Sequence, residues 1–264
     1  MGAGVVGVLA FAAALSGCGG GDSGGGPDID GGASDAASSA GLSGQLVGPD
    51  DQPLANVEIL ACQATTCAYG ESQADGRFAF AIEPPAEVAL KTHADLTQSP
   101  RLAAALEPVD IVAGEAVEVG TLYIPNLPDG AVLAAESEDP QQLEVGDGLE
   151  LTLNRADITP AIGDFLYDVA ARRIPDQHIP PYPELDGEEV IAVYAMHPFA
   201  AESASPIAVR APTDLEDGTP VKFRTISELD GNFSEPAPGA ANGGQVSTDP
   251  GVGITRITYL VITR

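Results

Sequence analysis

The histidines and carboxylates of this chain are the side chains that could transfer protons or hold a metal ion. The histidines are His93, His178 and His197. No two of them follow the HxxxH or HExxH spacing that places ligands on one helix face. We therefore expect three unrelated surface or core histidines and no metal site. The alternative is a metal site in which His178 joins the acidic cluster Asp186, Glu188 and Glu189.

Pairs of carboxylates could also act together, because a hydrolase of the glycosidase type needs two acids at a fixed separation. The candidate acids in the C-terminal part of the chain are Asp164, Asp168, Asp186 and Glu188. Their spacing singles out no pair, so we expect no catalytic residue. An envelope hydrolase with an acidic site in residues 130–264 stays as the alternative.

Three segments near the N-terminus match short motifs without the context that the chemistry needs. Residues 2–7 fit the dinucleotide pattern GxGxxG, but no strand precedes them, so we expect no cofactor. Residues 21–27 resemble the nucleophile segment of chymotrypsin-like proteases. In that family the base histidine comes earlier in the chain, and no histidine precedes Ser23. Residues 28–31 form half of a calcium loop and lack its terminal glutamate.

The N-terminal segment has the size of a signal peptide. Residues 1–17 carry no charge, and their apolar run of eleven residues, 5–15, is shorter than the roughly 20 that span a membrane. Leu15-Ser16-Gly17-Cys18 resembles the lipobox of bacterial lipoproteins, in which the chain is cut before the cysteine and the sulfur carries a diacylglycerol. The resemblance implies a lipid on Cys18 and, because Gly19 replaces the aspartate of inner-membrane retention, favours the outer membrane. No Lys or Arg precedes the run, and a buried helix or a short tail anchor is the alternative.

Residues 18–41 have the composition of a flexible linker. Ile29 is the one large apolar residue between Gly19 and Gly41, and the others are Gly, Ser, Ala, Asp and Pro. Such a segment buries too little apolar surface to offset the entropy of ordering it. A coil of this length has a root-mean-square reach of roughly 25 Å. It suits a tether between a lipid and a folded body.

The remaining cysteines are an even pair in a chain that the leader predicts to be exported. Cys62 and Cys67 are separated by four residues, with no further cysteine or nearby histidine to complete a zinc site. A disulfide is therefore expected. Closing so short a loop stabilises by about 2 kcal/mol through chain entropy.

The charge of the chain excludes one class of partner. The chain has 39 acidic and 11 basic residues, and its net charge is −28. Such a field repels phosphate backbones, so we expect no nucleic acid partner. Acidic residues spread this widely indicate a solvated surface, with divalent-cation binding as the alternative.

Beyond residue 41 the apolar residues alternate as in β-strands. In residues 77–82, for example, Phe78, Phe80 and Ile82 fall on one face. The other segments that favour strands are 55–62, 87–92, 117–124, 221–225 and 254–262. Gly, Pro and Asp separate them, which predicts an all-β chain with two β-sandwich domains.

The two predicted domains are residues 42–126 and 130–264. Two prolines and an Asp-Gly turn at residues 124–130 mark the boundary, and we expect residues 41–126 to fold alone. Only residues 101–106 and 156–162 could form brief helical turns.

Residues 42–124 resemble the carboxypeptidase regulatory-like domain, a transthyretin-like sandwich of about seven strands. The resemblance rests on Ser43-Gly44-Gln45-Leu46-Val47, on Gln52-Pro53-Leu54-Ala55-Asn56-Val57, and on Ala74-Asp75-Gly76-Arg77-Phe78-Ala79-Phe80. It implies a passive or binding module without catalysis, in which the Cys62–Cys67 pair is an addition to the second hairpin. Residues 190–221 are similar to ZU5-type sandwiches, and that similarity carries no functional residue across.

These observations predict an envelope lipoprotein that is anchored to membrane lipid through Cys18 and has a structural, ligand-binding or partner-binding role. An envelope protein or a glycan is the possible further partner. A calcium- or carbohydrate-binding adhesin module is an alternative, although the chain has no Trp and only 5% aromatic residues.

Overall fold

The computed structural model describes residues 40–82, 86–112, 114–134, 139–162, 166 and 168–264. All of them belong to one compact unit, Ala37–Arg264. The predicted signal peptide, Cys18 and residues 19–39 of the predicted linker lie outside the described residues, as does the candidate acid Asp164. None of the described helices is long and apolar enough to cross a membrane.

Residues 40–126, called the first half, form two β-sheets with an apolar core between them. The strands are β1 (Ala40–Val47), β2 (Glu58–Gln63), β3 (Thr66–Glu71), β4 (Arg77–Ile82), β5 (Ala86–Thr92), β6 (Leu106–Ile111) and β7 (Ala116–Tyr123). One sheet has the order β4-β1-β7 and the other β3-β2-β5-β6. β1 is antiparallel to β4 and parallel to β7. The predicted sandwich is confirmed here.

The hairpin that leads into β4 shows how local sequence sets this fold. Phe78, Phe80 and Ile82 are buried, and the residues between them are exposed, as the alternation predicts. Gly76 has a φ of +76°, and a Cβ there would lie 2.5 Å from the carbonyl oxygen of Leu46. Glycine is therefore needed at this turn both for its backbone conformation and for space.

Residues 130–264, called the second half, form a sheet of twelve strands that encloses a second apolar core. The strands are β8 (Ala131–Val132), β9 (Gln141–Gly146), β10 (Leu149–Leu153), β11 (Ile158–Thr159), β12 (Asp168–Arg173), β13 (Val190–His197), β14 (Ala201–Pro212), β15 (Pro220–Thr225), β16 (Ala237–Asn242), β17 (Gln245–Thr248), β18 (Ile254–Ile257) and β19 (Tyr259–Thr263). The order is β8-β12-β13-β19-β15-β16-β17-β14-β10-β9, and β11 and β18 pair with β14. Three short 3-10 helices cover Arg155–Asp157, Asp176–His178 and Pro183–Leu185.

The helical turn predicted at residues 101–106 is wrong. Leu102 forms bridges to Asp95 and Asn126, and Leu106 begins β6. The alanines between them hydrogen-bond to neighbouring segments, for example through the N–H of Ala103 to the carbonyl of Pro125. Tertiary pairing thus outweighs the helix propensity of alanine. At 156–162 the expectation holds in part, since a 3-10 helix at Arg155–Asp157 leads into β11.

The central strands of the second half are buried on both faces. In β13, Ala192, Tyr194 and Met196 enter the core of the second half, whereas Val193 and Ala195 face the other way into a different core. β19 divides its side chains in the same manner. Burial on two faces explains why these strands read as continuous apolar runs rather than alternating ones.

The second face of these strands packs against the first half, and we call this shared core the joint. Its members from the first half include Leu60, Cys62, Leu106 and Tyr123, and those from the second half include Tyr182, Val193, Tyr259 and Val261. The predicted domain boundary falls between β7 and β8. Independent folding of residues 41–126 stays a prediction. An isolated first half would expose to water the apolar face that the joint covers.

Candidate functional site

The predicted disulfide is present and closes the hairpin of β2 and β3. Cys62 and Cys67 lie directly opposite each other in the register of the two strands, with 4.0 Å between their Cα atoms. Cys62 is buried in the joint, and Cys67 packs against it at partial exposure. The disulfide therefore stiffens one wall of the contact between the halves.

A polar contact between the two halves lies at one edge of the joint. His178, at the end of the 3-10 helix Asp176–His178, lies with its Nε2 2.8 Å from Oδ1 of Asp51, in the turn after β1. Its ring stacks on Tyr123, with 4.2 Å between centroids and 4° between planes. His178 thus links the second half to the first.

The structure does not bring His178 together with Asp186, Glu188 and Glu189, the residues of the alternative metal site. Glu188 lies against β15 and β19, where Arg224 donates two hydrogen bonds to its carboxylate, at 2.6 and 3.0 Å, and Lys222 and Thr263 donate one each. These contacts, first of all those from Arg224, lower the pKa of Glu188 to about 2. Backbone hydrogen bonds between Glu189 and Arg264 hold this segment at the end of β19. Within the described part of the chain, no three His, Cys, Asp or Glu residues lie close enough together to hold a metal ion.

The candidate acid Asp168 belongs to a second polar contact between the halves. Nη2 of Arg101, from the first half, donates to Oδ2 of Asp168 at 2.9 Å and to the carbonyl of Pro128 at 2.7 Å. Nε2 of His197 is 4.0 Å from the other oxygen of the same carboxylate. The Asp168 side chain is mostly buried, and it lies against Gly130, where a Cβ would collide with it. The structure therefore brings Asp168 and His197 together, but with an arginine as the counter-ion.

The other candidates lie apart from these groups. His93 is exposed and lies 3.5 Å from Glu58. Asp186 is exposed, at the end of the 3-10 helix Pro183–Leu185. Asp168 and Glu188 are held by different arginines, so the structure does not bring these two acids together in one cleft.

Glu107 is a chemically unusual residue that the sequence interpretation missed. It lies in β6, is 7% exposed, and borders a cavity of about 10 Å³ inside the joint. Burial raises the pKa of its carboxyl to about 8. The signal in the sequence was a single acid between Leu106 and Pro108 in an otherwise apolar segment.

The open depressions on the described surface that are large enough for a small ligand include the following two. One, of about 740 Å³, contains two arginines, Arg173 and Arg264, that are already ion-paired. The other, of about 400 Å³, offers hydroxyl, carboxylate and amide groups beside an aromatic ring. Its lining includes Ser227, Asp230, Asn232, Phe233 and Ser234. Side chains from distant strands form both, so no local motif could predict them.

Comparisons with known proteins show no family for this chain. No protein-family description matches it, and neither does any curated protein. Among solved structures it is similar to the Bacillus anthracis TIE protein, with 12% identity and a TM-score of 0.27. The match covers 79% of this chain and 42% of that chain, so this chain spans less than half of its length. A TM-score this low supports no conclusion about fold or function.

Proposed function

We propose that this chain is a lipid-anchored, non-catalytic protein of the bacterial cell envelope. Its two joined sandwiches are presented outside the cytoplasm on a tether attached at Cys18, in a structural or binding role. The assignment of the first half to the carboxypeptidase regulatory-like modules belongs to the same proposal. In its support, the resembling segments coincide with β1, with a bridge from Val47 to Pro53, and with the turn before β4.

The observation that carries the non-catalytic role is the pairing of two of the four candidate acids, Asp168 and Glu188, with arginines. Arg101 neutralises Asp168, and Arg224 neutralises Glu188. A carboxylate whose pKa is lowered to about 2, as that of Glu188 is, stays ionised near neutral pH and has no proton to donate as a general acid. These acids act as structural counter-ions.

The anchor is tested by metabolic labelling with palmitate. We expect the wild-type chain to incorporate the label, and Cys18→Ala to lose it and accumulate as an uncleaved precursor. The matched control is the double variant Cys62→Ala and Cys67→Ala, which removes the other two cysteines and should still be labelled. Equal labelling of Cys18→Ala and wild type would refute the anchor.

The non-catalytic role is tested with a panel of ester, peptide and glycoside substrates. We expect no turnover by the purified protein that differs from turnover by its Asp168→Asn and Glu188→Gln variants. Hydrolysis that either substitution abolishes would replace this proposal with an envelope hydrolase.

A second candidate function, saccharide binding, is favoured by the depression of about 400 Å³ described above. Its hydroxyl, amide and carboxylate groups can bond to a polyhydroxylated ligand, and Phe233 offers an apolar surface. A glycan array followed by calorimetry tests it. Asn232→Ala should lose the binding and Asn242→Ala, an exposed asparagine on β16, should keep it. Absence of any bound glycan would remove this candidate.

A further inference from the structure

We propose that Glu107 makes the joint between the halves sensitive to protonation. The joint is closed while the carboxyl group is neutral, and it loosens when the carboxylate forms. This device requires neither the lipid anchor nor any ligand.

The position of Glu107 is the first step of the argument. Its side chain is buried where β6 meets the second half, beside a cavity of about 10 Å³. That volume accommodates roughly one water molecule. A carboxylate formed there could not keep its hydration shell, and burying an ion without a partner is costly. The closed joint therefore favours the neutral acid.

Among the described side chains that line the cavity with Glu107, none carries a permanent positive charge that would offset ionisation. The titratable side chains that line the cavity are Tyr123 from β7, Tyr259 from β19, and His178 and Tyr182 from the segment between β12 and β13. Glu184, next along the chain, adds negative charge near Tyr182. Burial raises the pKa values of all three tyrosines, so they stay neutral below pH 10.

The cationic side chains on the neighbouring elements are engaged elsewhere. Arg172, whose charge acts on Tyr123, donates to the carbonyl of Asn126 and to Asp147. Nε2 of His178 is directed to Asp51. Nζ of Lys91, on the neighbouring strand β5, donates to the carbonyl of Glu228 at 2.7 Å. The hydroxyl of Tyr259 donates to the carbonyl of Ala104. The described surroundings of Glu107 thus stabilise a neutral carboxyl better than an ionised one.

The joint loosens because the ionised carboxylate of Glu107 is stabilised by water. Glu107 lies where the halves meet, so water reaches it if they separate slightly while each half keeps its own apolar core. With a pKa raised by burial to about 8, the carboxyl is neutral in acid and at neutral pH, and ionises in mild alkali. The transition therefore falls at an accessible pH.

Tyrosine near-ultraviolet circular dichroism reads the joint directly. The chain has no Trp and six Tyr, and three of those line the cavity beside Glu107. We expect the tyrosine band of the full chain to fall between pH 5 and 9.5 with a midpoint no higher than about pH 8, because hydration of the carboxylate in the loosened joint favours ionisation, while the far-ultraviolet strand signal stays constant. Glu107→Gln, which keeps the shape and cannot ionise, should retain the band throughout. Glu87→Gln is the matched control, since Glu87 is exposed on β5 and should leave the wild-type transition unchanged.

Three results would overturn the proposal. The first is a wild-type tyrosine band that stays constant across this range, which needs no variant and holds even if Glu107→Gln fails to fold. The second is a Glu107→Gln protein that shows the wild-type transition. The third is a midpoint that disappears in 0.5 M salt, because screening acts on exposed charges and leaves a buried carboxyl largely unaffected.

Discussion

Glu107 and Glu188 are two glutamates of the same chain whose pKa values move in opposite directions. Glu188 lies at the end of β19 and receives hydrogen bonds from Arg224, Lys222 and Thr263, which lower its pKa to about 2. Glu107 lies inside the joint, where burial raises its pKa to about 8. The hydrogen bonds and burial of a glutamate, rather than its residue type, decide which protonation state the fold stabilises.

The two residues therefore make opposite contributions to stability as the pH changes. The lowered pKa of Glu188 gives stability that is present above pH 4.5 and is lost as the pH falls towards 2. The raised pKa of Glu107 means that the folded chain keeps a proton that the unfolded chain releases above pH 4.5. Stability therefore decreases from pH 4.5 to about 8 and then levels off.

The largest expected effect is that of Glu107→Gln in alkali. At about 1.4 kcal/mol per pH unit, the interval from pH 4.5 to about 8 sets a limit of roughly 5 kcal/mol. Opening of the joint relieves part of this, so we expect a smaller gain in the free energy of unfolding at pH 9 and little change at pH 4.5. Urea unfolding at the two pH values measures it. A gain of the same size at both pH values would show that Glu107 does not titrate in the fold.

Arg224→Met should destabilise the end of β19 by about 3 kcal/mol, because it leaves the carboxylate of Glu188 without its main partner. In a folded unit of this size that lowers Tm by roughly 6–12 °C. The control is Arg210→Met, whose exposed pair with Glu150 at 3.6 Å should contribute less than about 1 kcal/mol. Equal losses of Tm in the two variants would contradict the assigned role of Arg224.

Removal of the disulfide sharpens the comparison between the halves. Opening the Cys62–Cys67 loop should cost about 2 kcal/mol. If the halves unfold together, Tm falls by roughly 4–8 °C, and if the first half unfolds by itself, by roughly 8–16 °C. We expect the smaller shift, because Cys62 is buried in the joint. Two reactive thiols in the denatured, non-reduced protein would refute the bond itself.

Asp51→Asn should have the smallest effect. Asn tolerates the positive φ of 57° at this position, so the change tests the contact with His178 alone. The Asp51 side chain is 65% exposed, so we expect a loss below about 1 kcal/mol. Asp50→Asn, at the exposed neighbouring position, should change nothing. A double-mutant cycle with His178→Phe measures the coupling energy between the two side chains. A value indistinguishable from zero would show that this contact does not stabilise the joint.

The features that the sequence predicted correctly have local causes. Alternation of Phe78, Phe80 and Ile82 follows from the two faces of one strand, and the turn at Gly76 follows from glycine chemistry. The Cys62–Cys67 bond joins neighbouring strands of one hairpin. In each case the residues that carry the signal lie within one strand, one turn or one hairpin.

The features that the sequence interpretation missed depend on contacts between distant parts of the chain. Arg224 reaches Glu188 across 36 residues, and Arg101 reaches Asp168 across 67. The joint consists of apolar residues of the same types that fill the interior of a sandwich. Composition therefore cannot distinguish a strand face inside a sandwich from one at the interface between the halves. A lone acid in an apolar segment, as at Glu107, was the one available signal for the joint.

Calorimetric unfolding of the full chain at pH 5 tests most directly the claim that the joint makes the two halves one cooperative body. The account predicts a single transition whose calorimetric enthalpy equals its van't Hoff enthalpy. Two resolved transitions at this pH, one of which moves on reduction of the disulfide while the other stays, would show that the halves unfold independently and would contradict it.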